Sequence, residues 1–220
     1  MSTTVTVWSD IHCPWAAVAV HRLRRAREDA GLDVVFDQRP WPLEFVNGTG
    51  TPIRIVPFEV AVLSNHEPDL FSRFRGDSWP STLLPAFELV AAARRAQGLR
   101  VAEEVDYHLR LAFFRDSVDV SVRAGLETAL TAAHDAYREV DSVRIMAIWD
   151  HEAVRSDVMD DYERSRNLVI QGSPQIFWPD GTSTHNPGMD DHEWVRGLPR
   201  MRSTDPDAPR RLLMAALGAG

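Results

Sequence analysis

The only cysteine in these 220 residues stands where a strand hands over to a helix. The segment Val5-Thr6-Val7-Trp8-Ser9-Asp10-Ile11-His12-Cys13-Pro14-Trp15-Ala16 alternates apolar and polar residues and then runs into Cys13 and a helical pattern. A thiol at a helix mouth meets unpaired amide N–H groups and the positive end of the helix dipole. The expectation is therefore a stabilised thiolate, a lowered pKa and a nucleophile, provided the sulfur is accessible. The competing reading of Cys13 is a buried small hydrophobe. His12 either hydrogen-bonds and charge-stabilises the thiolate or is a loop histidine turned to solvent. Trp15 is either an apolar wall for substrate beside the thiol or a packing residue of the first helix.

Other chemistries have less support. His12, Cys13 and His185 could supply three metal ligands, but no paired short-spacing ligand motif accompanies them, and no metal site is assigned. There is no Gly-rich phosphate loop and no Gly-x-Ser-x-Gly elbow, which removes the kinase and hydrolase readings. All 24 basic residues are arginine, so no lysine Schiff base is available. A net charge of −8 speaks against nucleic acid as a partner. No apolar run of about 18 residues spans a bilayer, the first residues lack a signal-peptide pattern, and one cysteine suits a reducing compartment; the expected location is the cytoplasm.

The elements that must hold Cys13 follow from periodicity. Trp15 to Ala30 carries helical apolar spacing with Gly31 as its stop, and Leu32 to Phe36 reads as a short strand ending in the loop Arg39-Pro40-Trp41-Pro42-Leu43. That makes a β-α-β unit with parallel strands. Asn47 to Pro57 reads as a loop. Glu59–Ser64, Leu84–Gln97, Val101–Phe114, Val122–Tyr137, Ser142–Trp149 and Glu152–Arg166 all show helical spacing with no strand between them. Gln175 to Trp178, the turn Pro179-Asp180-Gly181 and Thr182 to His185 form a hairpin. His185-Asn186-Pro187-Gly188 is either a pocket wall or a turn. Asp157 to Glu163 reads as a solvated helix face and Asp190-Asp191-His192-Glu193 as a helix start. A last helix runs from about Ala208 to Leu217 with Asp207 as its N-cap. The fold class is α/β. Residues 1–58 and 168–220 form one domain and 59–167 an all-helical insertion.

This order of elements, with Ser9-Asp10 before Cys13-Pro14-Trp15, the Arg39-Pro40-Trp41-Pro42-Leu43 segment, the helix containing Ala91-Ala92-Ala93 and ending Gln97-Gly98, and Gly172-Ser173-Pro174, resembles the DsbA-like branch of the thioredoxin superfamily over nearly the whole chain. Within that branch it is similar to the FrnE-type oxidoreductases. The branch also includes 2-hydroxychromene-2-carboxylate isomerases and kappa-class glutathione transferases. The resemblance implies a thioredoxin-like fold (β-α-β, hairpin, terminal helix) carrying the helical insertion. It implies Cys13 as the catalytic residue, with His12, Pro14, Trp15, Ser173 and Pro174 binding the substrate or thiol. By residue statistics alone Pro174 would be an ordinary trans proline; the resemblance implies a cis bond facing the cysteine.

The chain departs from the dithiol pattern at Ala16, where a second cysteine would resolve a mixed disulfide. What remains is a monothiol oxidoreductase that needs an external low-molecular-weight thiol, glutathione or an analogue, as cosubstrate, with no tightly bound cofactor. Its partners would be that thiol and a small-molecule or peptide disulfide, with no membrane partner and the oligomeric state left open, a dimer included. Two alternatives stand beside it: a redox-inactive binding module that keeps the fold, and a thiol-dependent isomerase or transferase.

Overall fold

The computed structural model describes residues 2–50, 52–77 and 79–218. Strand β1 (Thr3–Ser9) lies in the middle of a four-stranded sheet of order β2-β1-β3-β4. Helix α1 (Pro14–Ala30) carries the chain across to β2 (Val34–Pro40), which pairs with β1 in parallel from Thr3–Val34 to Ser9–Pro40. Pro14 occupies the first turn of α1, where a missing N–H costs nothing. Gly31 ends the helix in the left-handed region at φ 60°. Strand β2 runs four residues past the expected end at Phe36, through Arg39 and Pro40. As the terminal strand of the sheet it has no partner on its outer side to miss the proline N–H.

Strands β3 (Gln175–Phe177) and β4 (Ser183–His185) form the expected hairpin, with β3 antiparallel to β1. One layer of core sets Val5, Val7, Val34, Phe36 and Ile176 of the sheet against Val20 and Leu23 of α1 and Leu213 of the last helix, α9 (Ala208–Ala216). Asp207 precedes α9 but makes no side-chain cap.

Between β2 and β3 the chain is helical: α2 (Leu43–Val46), α3 (Val56–Leu63), a 3₁₀ turn (Pro68–Phe71), α4 (Leu84–Gln97), α5 (Leu99–Arg110) continued by a π turn (Leu111–Arg115), α6 (Arg123–Ala136), α7 (Ser142–His151) and α8 (Val154–Ser165). No strand interrupts it among the described residues. These helices share one apolar cluster with the start of α1, in which Ile11, Cys13, Trp15 and Val18 meet Leu63, Leu89, Leu109 and Phe113. Charge anchors the same junction. Buried Glu103 of α5 accepts from Arg24 and Arg27 of α1 and from the Phe36 amide on the outer side of β2.

The Asp190–Glu193 segment corrects the sequence reading. Residues His192–Val195 are strand β5, paired with β6 (Leu198–Met201) in a separate two-stranded ribbon. Arg196 and Gly197, both left-handed at φ 53° and 78°, make the two-residue turn that matches hairpin twist. The acidic residues upstream resemble a helix cap, and the turn chemistry after them decides otherwise.

Candidate active site at Cys13

The site is assembled where β1 ends. The Cys13 amide donates to the Asp10 carbonyl (3.2 Å), and its Sγ donates to the Ser173 carbonyl (3.1 Å), the residue joined to Pro174 by a cis bond. The Asp10 amide donates to the Ser173 hydroxyl (2.9 Å). The two loops, 160 residues apart in sequence, are thus fastened to each other on both sides of the sulfur. The Pro174 carbonyl in turn accepts from the Asn186 amide (3.1 Å) and lies 3.0 Å from His185 Nδ1. After His185, the last residue of β4, Asn186 to Gly188 is a turn with Asn186 and Gly188 left-handed, and it braces the Ser173–Pro174 loop.

The electrostatics overturn the expected low thiol pKa. Hydrogen bonding from the Ser173 hydroxyl and the Ala16 amide favours the thiolate, as the helix mouth predicts. Burial outweighs both: Cys13 is 5% exposed, and with the negative charge of Glu59 and then Asp10 nearby its pKa is pushed up to about 12. The resting thiol is neutral and covered.

His12 does not supply a compensating charge. Its ring is fully buried against Phe113 (centroids 4.0 Å apart) and Trp79, and burial lowers its pKa to about 3. Neither alternative of the sequence reading, a thiolate partner or a solvated loop residue, describes it. Trp15 is not an open wall either. It is buried, donates Nε1–H to Glu59 Oε1 (2.7 Å) and stacks on His192 of β5 (4.5 Å). Pro14 lies buried in the first turn of α1 beside Cys13. Ala16 is fully buried as well.

Three further residues shape the site without standing out in the sequence as site residues. Asp10 is buried with its carboxylate accepting from the His12 amide (2.6 Å) and the Leu43 amide (2.7 Å); desolvation raises its pKa to about 6. Arg110 of α5 donates to the Asp10 carbonyl and the Ser9 hydroxyl while held bidentately by Asp106. A signal for it exists: the Asp106–Arg110 pair, four apart, stands directly after the equally spaced apolar positions Val105 and Leu109, which face a core. Glu59 is 46 residues from Cys13, and the sole hint of it is that a buried indole N–H needs an acceptor. Among the described residues no three His, Cys, Asp or Glu side chains gather to hold a metal ion.

A lone thiol at the first turn of a helix, apposed to a cis-proline loop in a β-α-β sheet with a helical segment, defines a thioredoxin-fold protein. The chain belongs to the DSBA-like thioredoxin domain family, whose model matches residues 4–197. No curated protein matches it in sequence. Among solved structures it is similar to a putative protein disulfide isomerase from Nitrosomonas europaea (15% identity, 99% of this chain and 98% of that one, TM-score 0.62). It is also similar to the cytosolic disulfide reductase DsbM from Pseudomonas aeruginosa (17%, 99% and 100%, TM-score 0.54), a protein also solved with GSH. A third is a 2-hydroxychromene-2-carboxylate isomerase (12%, 98% and 95%, TM-score 0.57). At these identities the likeness is one of fold.

Proposed function

We propose that the protein is a single-thiol oxidoreductase of its family, in which Cys13 exchanges disulfides with the help of an external low-molecular-weight thiol. The observation that carries this reading is the Cys13 sulfur held 3.1 Å from the Ser173 carbonyl, with Ala16 and not a second cysteine three residues further along the helix.

In the first step Cys13 gives up its proton to water and its sulfur attacks one sulfur of a disulfide. The S–S bond breaks, and the other sulfur leaves as a thiolate that takes up a proton. In the second step an external thiolate attacks the substrate sulfur of the mixed disulfide and returns Cys13 as thiolate. A further external thiol then frees the substrate thiol, and the two external thiols end as their own disulfide. The GSH complex of DsbM supports a small thiol of the glutathione kind as that cosubstrate, and the segments shared with FrnE-type oxidoreductases and the cytosolic setting of DsbM support a cytoplasmic role. Exchange requires α3 to move aside, because Glu59 and the other buried residues of α3 cover Cys13 and Trp15. The described residues of 47–55 that lead into α3 are exposed, and such weakly packed connections open at low cost.

A second reading is favoured by one observation, the buried thiol with its pKa pushed up to about 12: a binding module that keeps the fold without redox turnover. Intact mass after exposure of the folded protein to oxidised glutathione separates the two. The oxidoreductase reading expects a single glutathione adduct that forms faster as pH rises, is absent in Cys13→Ser and is removed by reduced glutathione. An adduct that forms only after unfolding would overturn it in favour of the binding module.

A further inference from the structure

Helices α4 and α8 and the outer strand β2 border a cavity of about 220 Å³ that Cys13 does not line. Each helix gives it one stripe of residues, Phe87, Val90 and Arg94 from α4 and Asp157, Asp160, Asp161 and Arg164 from α8, at the three- and four-residue spacings that share a helix face. From β2, Gln38 adds wall only, because both polar atoms of its side-chain amide are sealed off. The chemical character of the cavity therefore rests on its charged groups.

Most of those charges are already paired. Asp106 is held bidentately by Arg110 and Asp157 by Arg95, Asp161 is shared by Arg39 and Arg164, and Arg39 turns its other nitrogens to Asp37. The Asp157–Glu163 segment is thus not simply a solvated helix face, since Asp161 is buried against Arg39. Three groups keep binding capacity. The Asp160 carboxylate is exposed and meets no hydrogen-bond or ion-pair partner among the described residues. Arg164, with its side chain 68% exposed, uses only Nη1, toward Asp161 (3.0 Å). Arg94, mostly buried, uses only Nη2, toward the Gln38 carbonyl and Asp37 (2.6 Å each). A guanidinium has five N–H donors, so both arginines retain donors for an anion.

A simple anion would sit beside the free Asp160 carboxylate, and a simple amine beside the free guanidinium groups; a molecule that carries both charges is matched by both. Spacing selects which molecule. Asp160 and Arg164 lie four residues apart on α8, which puts their Cβ atoms about 5–6 Å from each other, and Arg164 is turned to Asp161 rather than to Asp160. An ammonium and a carboxylate borne on one carbon fit between such neighbours, whereas the two termini of a peptide are at least one residue further apart. Phe87, Val90 and Val158 supply the apolar wall. The volume lies below the usual range of about 300–1,000 Å³ for sites of drug-sized ligands, which also selects a small molecule.

We infer that the cavity between β2, α4 and α8 binds a free α-amino acid with an aliphatic side chain: its ammonium at Asp160, its carboxylate at Arg164 and Arg94, and its side chain against Phe87, Val90 and Val158. The site stands apart from the chemistry of Cys13.

Calorimetric titration of the full-length protein with L-valine at neutral pH tests it, with isovalerate and isobutylamine as probes that keep the side chain and lack the ammonium and the carboxylate respectively. The expected result is saturable one-site binding of L-valine and at least about tenfold weaker binding of each comparison compound. Asp160→Asn should weaken L-valine by about tenfold and leave isovalerate no weaker than before. Arg164→Gln should weaken L-valine and isovalerate and leave isobutylamine unchanged. Both side chains are exposed, so the two variants keep the fold in which binding is measured. Absence of saturable L-valine binding, equal affinity for either comparison compound, or undiminished L-valine affinity in either variant overturns the proposal.

Discussion

Cys13 lies between opposing influences, and the balance sets its reactivity. The Ala16 amide and Ser173 hydroxyl favour the thiolate; burial, Glu59 and Asp10 oppose it and prevail. Thiol alkylation should therefore show a pH midpoint far above the ordinary cysteine range of about 8.5, measured as rate against pH on folded protein. Glu59→Gln removes a negative charge beside the sulfur and keeps an acceptor for Trp15, so alkylation at mildly alkaline pH should rise by about tenfold. An unchanged rate would mean that burial alone controls the thiol. Asp10 and His12 link the same loop to stability with opposite signs. Asp10, raised to about 6 from 3.8, contributes stability that is fully present at low pH and is lost as pH rises through about 6. His12, lowered to about 3 from 6.5, contributes stability that is present above 6.5 and lost as pH falls towards 3. Each tenfold in proton affinity is worth roughly 1.4 kcal/mol. In urea unfolding, His12→Phe should lose less stability than the parent between neutral pH and about pH 4.5. Equal losses would show that the His12 ring is protonated in the fold at little cost.

At the scale of elements, α5 is the part that carries the active-site loop. Its Arg110, nearly fully buried, spans from Asp106 to the Ser9 hydroxyl and Asp10 carbonyl, so the first turn before Cys13 is held by a helix a hundred residues away. Arg110→Met leaves Asp106 buried and uncompensated and should cost about 3–5 kcal/mol in chemical denaturation. Adding Asp106→Leu to Arg110→Met should recover most of that loss, because a buried ion pair contributes less than the cost of breaking it. Failure of the double variant to recover would mean that the contacts to Ser9 and Asp10, not the pairing with Asp106, carry the stability. The β5–β6 ribbon brings His192 onto Trp15, so the indole is held through its ring by the ribbon and through its N–H by Glu59 of α3.

Across the whole molecule, the sheet and the helical segment do not meet as two separately packed bodies. Cys13 and, in α1, Trp15 and Val18 belong to the same apolar cluster as α4, α5 and α6, and Glu103 of α5 ties in α1 through buried ion pairs with Arg24 and Arg27 and β2 through a hydrogen bond from the Phe36 amide. Thermal or denaturant unfolding should accordingly be one transition, with far-UV circular dichroism and tryptophan fluorescence at coincident midpoints. Separate transitions would show that the helical segment folds on its own. No helix is long and apolar enough to cross a membrane among the described residues.

Much of this architecture is legible in the sequence because it depends on local order. The period-2 run Val5–Trp8, the helical spacing from Trp15 to Ala30 stopped by Gly31, and the Pro179-Asp180-Gly181 turn each specify their own element and appear where expected. The pairing of Cys13 with the Ser173–Pro174 loop follows from the family resemblance rather than from the local pattern of either segment. The state of the thiol is not legible. A helix mouth predicts a low pKa whatever follows it, whereas the actual direction depends on Glu59 and on how completely α3 excludes water, both set by packing across distant segments. The same holds for His12, kept neutral by burial against Phe113 and Trp79. Local sequence determines backbone conformation through short-range sterics and hydrogen bonds; desolvation and charge proximity are long-range, and only the tertiary structure decided them.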